Sequence, residues 1–279
     1  MTTTEMKARL VLSLNKSSEE VATLYMSAGG EYRGDKNWDQ AAEAYAKAAA
    51  LFQAAGLAEA SLQALEASCS MRLASPFPDE HETAWRIHEE HLWPAWRATG
   101  RLQPLCNGME AVADAMASDL KHAGAAEVWT AAAEINCSQG WTSSALKCLS
   151  GVAAAHIALE DYHRALAAYE TAFDACVGDA LLRFSAGTYA SRVVMCALAM
   201  GDSALASLKL TKFKEVDSHF LGSHEAQILD ALIGAFNHQN KDAFMSTVLD
   251  YDSVKRLDPQ QTRLLLEVKS RVTSQDVEF

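Results

Sequence analysis

Ala41-Ala42-x-x-Tyr45-x-x-x-Ala49, within the stretch Trp38 to Ala49, is the phrase on which the fold turns. On a helix of 3.6 residues per turn these positions share one face: two small residues, an aromatic one turn later, and a further small residue beyond it. The phrase returns as Ala125-Ala126-x-x-Trp129-x-x-x-Ala133, then as Ala165-Leu166-x-x-Tyr169-x-x-x-Phe173, and more faintly as Leu205-Ala206-x-x-Lys209-x-x-x-Phe213. From Trp129 to Tyr169 is 40 residues, and from Tyr169 to Lys209 is 40 again. Such a period holds two helices of about 15 residues and two turns, which predicts helix hairpins of the tetratricopeptide (TPR) kind, somewhat longer than the usual ~34. Small residues let neighbouring helices approach, and the aromatic fills the groove between them.

Turn signals support this phase. Gly34-Asp35-Lys36-Asn37, Gly124, Glu160-Asp161 and Gly201-Asp202 each precede a repeat helix. Between residues 74 and 104 the prolines Pro76, Pro78, Pro94 and Pro104 interrupt the pattern, and the register slips. Toward the C-terminus the phrase is lost. Leu221-Gly222-Ser223 and Gln239-Asn240 read as turns, and Asp258-Pro259 as a cap and first-turn proline for a last helix ending near Thr273. The expected architecture is all-α: a TPR-like right-handed stack of antiparallel helix hairpins forming a twisted sheet over residues 1–178, capped by a C-terminal helical bundle with a short acidic tail over residues 179–279.

Composition narrows the function. The 279 residues are 49% hydrophobic and 22% charged, as in a folded globular chain, and proline (5) and glycine (14) are scarce, as helices require. A formal net charge of -12 argues against general nucleic-acid binding and for basic partners or a segregated basic face. Six scattered cysteines, without a CxxC pair, read as reduced thiols that serve mainly as small apolar residues in a cytoplasmic protein. No run approaches the ~20 apolar residues of a membrane span. Catalysis finds no footing, since neither a G-x-S-x-G elbow nor a phosphate-binding glycine loop occurs, and no cofactor is implied. His81, His88 and His91 with Glu82, Glu89 and Glu90 come nearest to a metal cluster, but HExxH order and a third ligand are missing, so no metal site is expected.

Three blocks carry a resemblance: Ala145-Leu146-Lys147-Cys148-Leu149, Ala180-Leu181-Leu182-Arg183-Phe184-Ser185-Ala186, and Asp250-Tyr251-Asp252-Ser253-Val254-Lys255-Arg256-Leu257-Asp258. In this order and at these distances they resemble the soluble NSF attachment proteins (SNAPs), and fainter similarity runs from about Trp38 to Leu266. Features of the α/β and the γ type are mixed. The resemblance implies a non-enzymatic adaptor, peripheral to membranes, that wraps a SNARE bundle and presents its C-terminal end to the hexameric AAA+ ATPase NSF, stimulating it to disassemble the bundle. A TPR-like scaffold in another assembly is the alternative.

The same resemblance implies site residues. Arg101, Lys147 and Arg183 stand at SNARE-facing basic positions, whereas Asn107, Gly151 and Gly187 stand where the family commonly has lysine; Arg192 is a possible substitute. Toward the ATPase, Asp202 matches an acidic position, and the tail residues Asp276, Val277, Glu278 and Phe279 replace an acidic end with a penultimate leucine. Gly234, Asn237 and His238 occupy an acidic cluster of the family. Met26 to Gly34 corresponds to a membrane-dipping apolar loop but offers only Met26 and Tyr32, which leaves membrane association weakly supported.

Overall fold

The computed structural model describes residues 4–6 and 17–272, and the chain divides into two compact units after Lys121. In the first unit lie α1 (Ser18–Gly34), α2 (Trp38–Ala54), α3 (Ala58–Ala74), α4 (Pro78–Ile87), α5 (Trp93–Ala98) and α6 (Leu102–Ser118). The second unit contains α7 (His122–Ser138), α8 (Thr142–Ala158), α9 (Tyr162–Gly178), α10 (Ala186–Ala199), α11 (Ser203–Val216), the single turn α12 (Ser218–Leu221), α13 (His224–Asn237), α14 (Lys241–Val254) and α15 (Pro259–Arg271). The fold is all-α and TPR-like, with α1–α2–α3 and α7–α8–α9 each packing on the next in sequence.

The unit of the repeat is 20 residues. Helices α1, α2, α3, α6, α7, α8 and α9 are each 17 residues long, two more than the spacing suggested. Short turns join them through one left-handed residue: Lys36 (φ 57), Gly56 (φ 76), Leu120 (φ 62), Gly140 (φ 70) or Glu160 (φ 59). In each turn the next N–H reaches back five residues, as Asn37 to the Tyr32 carbonyl (2.9 Å) and Lys121 to that of Met116 (2.8 Å), which closes the Schellman arrangement and satisfies the orphan carbonyls. Gly124, read as a turn, lies inside α7; the turn is made by Leu120 and Lys121.

The phrase residues of the first three copies are buried as their face requires; in the faint fourth, Ala206 and Phe213 are buried while Leu205 and Lys209 are half-buried. Close approach is built from an aromatic laid on a glycine: a Cβ on Gly151 of α8 would stand 2.6 Å from Trp129 Cδ2, and one on Gly29 of α1 2.7 Å from Tyr45 Cε1. Gly29 belongs to the stretch matched to a membrane-dipping loop. That stretch is the second half of α1, with Tyr32 buried and its hydroxyl donating to Glu5.

The proline-rich break is helical too. Pro78 starts α4, and Pro94 follows one wide π turn, His88–Leu92, in which the Trp93 N–H bonds to the His88 carbonyl. Without an N–H, Pro94 cannot bond the Glu90 carbonyl, and the wide turn relieves the clash of its ring with that group. Ala84, His88 and Leu92 are buried at four-residue spacing, so a degenerate copy of the phrase persists here with His88 in the aromatic's place.

In the second unit α10 is buried along nearly its whole length and packs on α9, α11, α13 and α15. The predicted turns supply caps: Ser223 accepts from the Ala226 N–H (3.1 Å) and Asn240 from that of Ala243 (2.9 Å), while Asp258, read as a cap, accepts from Gln260 and Gln261 (both 2.9 Å) in a capping box. Cys137 is exposed and the other cysteines are buried, where burial raises the Cys69 thiol to about 12. No helix among the described residues is long and apolar enough to cross a membrane.

Candidate protein-docking sites

After α9 the 20-residue rhythm stops. Asp179 leaves the helix and its Oδ1 accepts the Leu181 N–H (2.8 Å), the Leu182 N–H returns to the Asp179 carbonyl (3.2 Å), and a 3₁₀ turn, Arg183–Ser185, leads into α10. These bonds hold Leu181 at 89% and Phe184 at 88% exposure, with the exposed Arg183 between them. Two large apolar side chains held in water on an ordered turn form a surface that a partner can cover, each worth ~1.5–3 kcal/mol when buried. Behind Phe184 opens a cleft of about 350 Å³ that reaches Gly187, Asp217 and Phe220. A Cβ at Gly187 would lie 3.0 Å from Glu225 Oε2 and 3.2 Å from Phe220 Cδ2, so packing opposes a larger residue there, as it does at Gly151 beneath Trp129.

Lys147 is exposed on α8, one turn before Ser150. Ser150 and Ser185 line a common depression of about 430 Å³ with Tyr189, Arg192 and Asp258. Lys147 and Arg183 are thus carried by the elements that wall one depression. Arg192, the suggested substitute, is committed to the interior. Its Nη2 bonds Asp258 Oδ2 at 2.6 Å, its guanidinium lies over the rings of Tyr169 and Tyr189 at 5.4 and 5.6 Å, and only 14% of the side chain is exposed. It fixes the start of α15 to α10. Burial raises the Asp258 carboxyl, but the Gln261 N–H and Arg192 outweigh burial and hold it below its ordinary value.

In the first unit Arg101 is the residue before α6, with Nη1 3.1 Å from Glu59 Oε1 on a pair exposed at both ends. Such a pair contributes ~0–1 kcal/mol and leaves the guanidinium easily recruited. Asn107 accepts from Gln103 Nε2 (3.0 Å) on the same helix. Asp202 caps α11, its Oδ1 2.8 Å from the Leu205 N. Asn237 and His238 close α13, an end whose free carbonyls disfavour acidic side chains. Asp276, Val277, Glu278 and Phe279 lie outside the described residues.

The histidines do not converge. His81 Nδ1 meets Asp119 (2.9 Å) and its Nε2 the Ser75 carbonyl (2.8 Å), so it ties α4 to the end of α6. His88 is buried 5.8 Å from the Trp96 ring, and burial lowers its pKa to about 4; His91 is exposed. Among the described residues no group of three His, Cys, Asp or Glu could hold a metal.

Glu225 was not foreseen. Its Oε1 accepts from Tyr251 Oη (2.6 Å), Ser191 Oγ (3.1 Å) and Lys255 Nζ (3.3 Å), and Gln261 Nε2 donates to the same tyrosine oxygen (3.0 Å). Burial, then Glu225, raises the tyrosine's pKa. The 250–258 motif is therefore largely scaffold: Tyr251 anchors α14, Lys255 joins Glu225, and Asp258 holds α15.

Comparison with known proteins gives these arrangements a context. The family model described as "Soluble NSF attachment protein, SNAP" matches residues 3–273. The mouse (Mus musculus) alpha-soluble NSF attachment protein is 27% identical over 256 residues, 91% of this chain and 84% of the relative. A probable vesicular-fusion protein sec17 homolog of Neurospora crassa is 31% identical over 155 residues, 56% of this chain and 53% of that one. Among solved structures, the apo form of RapI aligns with a TM-score of 0.45 at 13% identity, covering 96% of this chain and 80% of that one.

Proposed function

We propose that this chain, which belongs to the soluble NSF attachment protein family, is an adaptor that binds SNARE complexes and recruits and stimulates an NSF-type hexameric AAA+ ATPase during vesicle trafficking. The observation that carries the reading is the 179–185 turn, where Arg183 stands between two almost fully exposed apolar side chains. A bundle of helices with acidic surface residues is the partner such a turn fits, apolar contact supplying affinity and Arg183, with Lys147 and Arg101, supplying register. The SNARE-facing basic residues would be Arg101, Lys147 and Arg183, and the ATPase-facing residues Asp202 and the tail from Asp276 to Phe279. The adaptor itself catalyses nothing and works in the cytoplasm, at membranes that carry SNAREs.

A pull-down with a SNARE bundle and the ATPase, followed by ATP hydrolysis, tests this. Formation of a ternary complex with faster hydrolysis is expected, and no complex would sink the reading and favour a scaffold in another assembly. Leu181→Ser with Phe184→Ser should weaken SNARE binding about tenfold or more at any salt, whereas Lys147→Glu with Arg183→Glu should leave binding that is weaker and less salt-sensitive. Deleting residues 276–279 should spare SNARE binding and reduce stimulation.

A further inference from the structure

The second unit holds a groove that the adaptor reading does not use. It measures about 650 Å³, runs along α7 to the start of α9, and includes Ala123, Ala126 and Ala131, whose small side chains leave it open. Glu127 and Glu134 line it from α7. They are seven residues apart, hence two turns up one face and about 10 Å along the axis. Neither has an ion-pair partner among the described residues. Asp161 stands across from them, capping α9 and paired at 3.5 Å with the neighbouring Arg164, whose side chain is 72% exposed.

One buried polar group also lines this space. His156 is 9% exposed, and its Nδ1 makes no hydrogen bond, lying 3.9 Å from Asp161 Oδ2. Burial lowers its pKa, against the pull of Asp161, and so favours the neutral ring. A neutral imidazole that keeps its proton on Nδ1, toward the Asp161 carboxylate, offers Nε2 as an acceptor.

We propose that this groove docks a cationic helix of a partner protein, with two Lys or Arg side chains seven residues apart meeting Glu127 and Glu134 and an N–H donor reaching His156. The match is one of sign and of spacing. Residues seven apart on any α-helix repeat the same ~10 Å interval, and the alanines allow a second helix axis to come close. The groove's other charge, Arg164, already has Asp161, so an acidic segment would meet two uncompensated carboxylates.

The test is fluorescence anisotropy on the full chain, with a labelled alanine-rich helical peptide of about 20 residues carrying lysines seven apart, and a counterpart with glutamates there. The lysine peptide should bind and the glutamate peptide should not. Glu127→Lys with Glu134→Lys should weaken binding about tenfold or more, and Glu66→Lys with Glu215→Lys, the same charge change on exposed positions elsewhere, less than about twofold. Ala123→Trp, which fills the groove without altering charge, should also cost about tenfold. Circular dichroism checks that each variant is folded. Absence of binding, equal loss in the distant reversal, or indifference to Ala123→Trp would each overturn the proposal. Equally good competition by spermine would reassign the groove to a small cation and overturn it too.

Discussion

Between α7 and α9 the buried surface is mostly alanine, leucine and single aromatics, whereas from α10 to α15 the helices are joined through polar side chains: Arg192 with Asp258, Glu225 with Tyr251, Ser191 and Lys255, and Gln261 with Tyr251. The first region repeats at a fixed interval because each helix meets neighbours of the same length through the same small-residue face. The second has helices of 14, 14, 14 and 13 residues in α11, α13, α14 and α15; it keeps the left-handed turn at Gly201 and Gln239, and elsewhere capped helix starts and directional bonds set the register. Packing by shape tolerates drift in polar residues but not in volume. Packing by hydrogen bonds tolerates the reverse, because an unpaired buried group is costly.

Removing volume from the stack should break the contrast most severely. Trp129→Ala empties the groove over Gly151 and is expected to destabilise by ~3–5 kcal/mol in urea unfolding. Next comes acid, acting where His88 takes the aromatic's place in the first unit. Its folded pKa of about 4 lies below the unfolded ~6.5, so the neutral ring stabilises fully above that value, and the contribution is lost as pH falls from 6.5 toward 4. About 3 kcal/mol should disappear across that window, and His88→Phe should flatten the curve there if the site accepts a ring that cannot charge.

A smaller effect sharpens the comparison from within the stack. Gly151→Lys forces a Cβ toward the Trp129 indole, for an expected loss of ~1–3 kcal/mol. In a Trp129→Ala background the same change should cost much less; equal cost in both backgrounds would dissociate the glycine from the indole. The mildest is Tyr251→Phe in the bundle. It keeps the ring and deletes one hydroxyl, leaving Glu225 with Ser191 and Lys255, and thermal unfolding should register ~1–2 kcal/mol.

Sequence and structure agree best where one face of one helix is concerned. The phrase around Tyr45, Trp129 and Tyr169 was legible because 3.6-residue periodicity is a local property. Turns were legible at Gly201 but not at Leu120, since the Schellman turn imposes a left-handed residue that leucine does not advertise. The proline-rich break was misread because prolines at helix starts and beside a π turn look the same in sequence as prolines that end helices. At the candidate site, Arg183 was named but Leu181 and Phe184 were not, since exposed and buried apolar residues are identical letters. Arg192 looked available until Asp258, 66 residues away, was seen to hold it.

The sequence by itself determined that the chain is helical, that it is built from hairpins near 40 residues, and which family motifs it carries, because these follow from composition, local periodicity and spacing. Tertiary contacts alone establish which glycines admit an aromatic, which arginine is interior, and that Glu225, Glu127 and Glu134 differ although all are acids. Those distinctions rest on partners far apart in the chain, and burial changes the free energy of a charge only once those partners are in place.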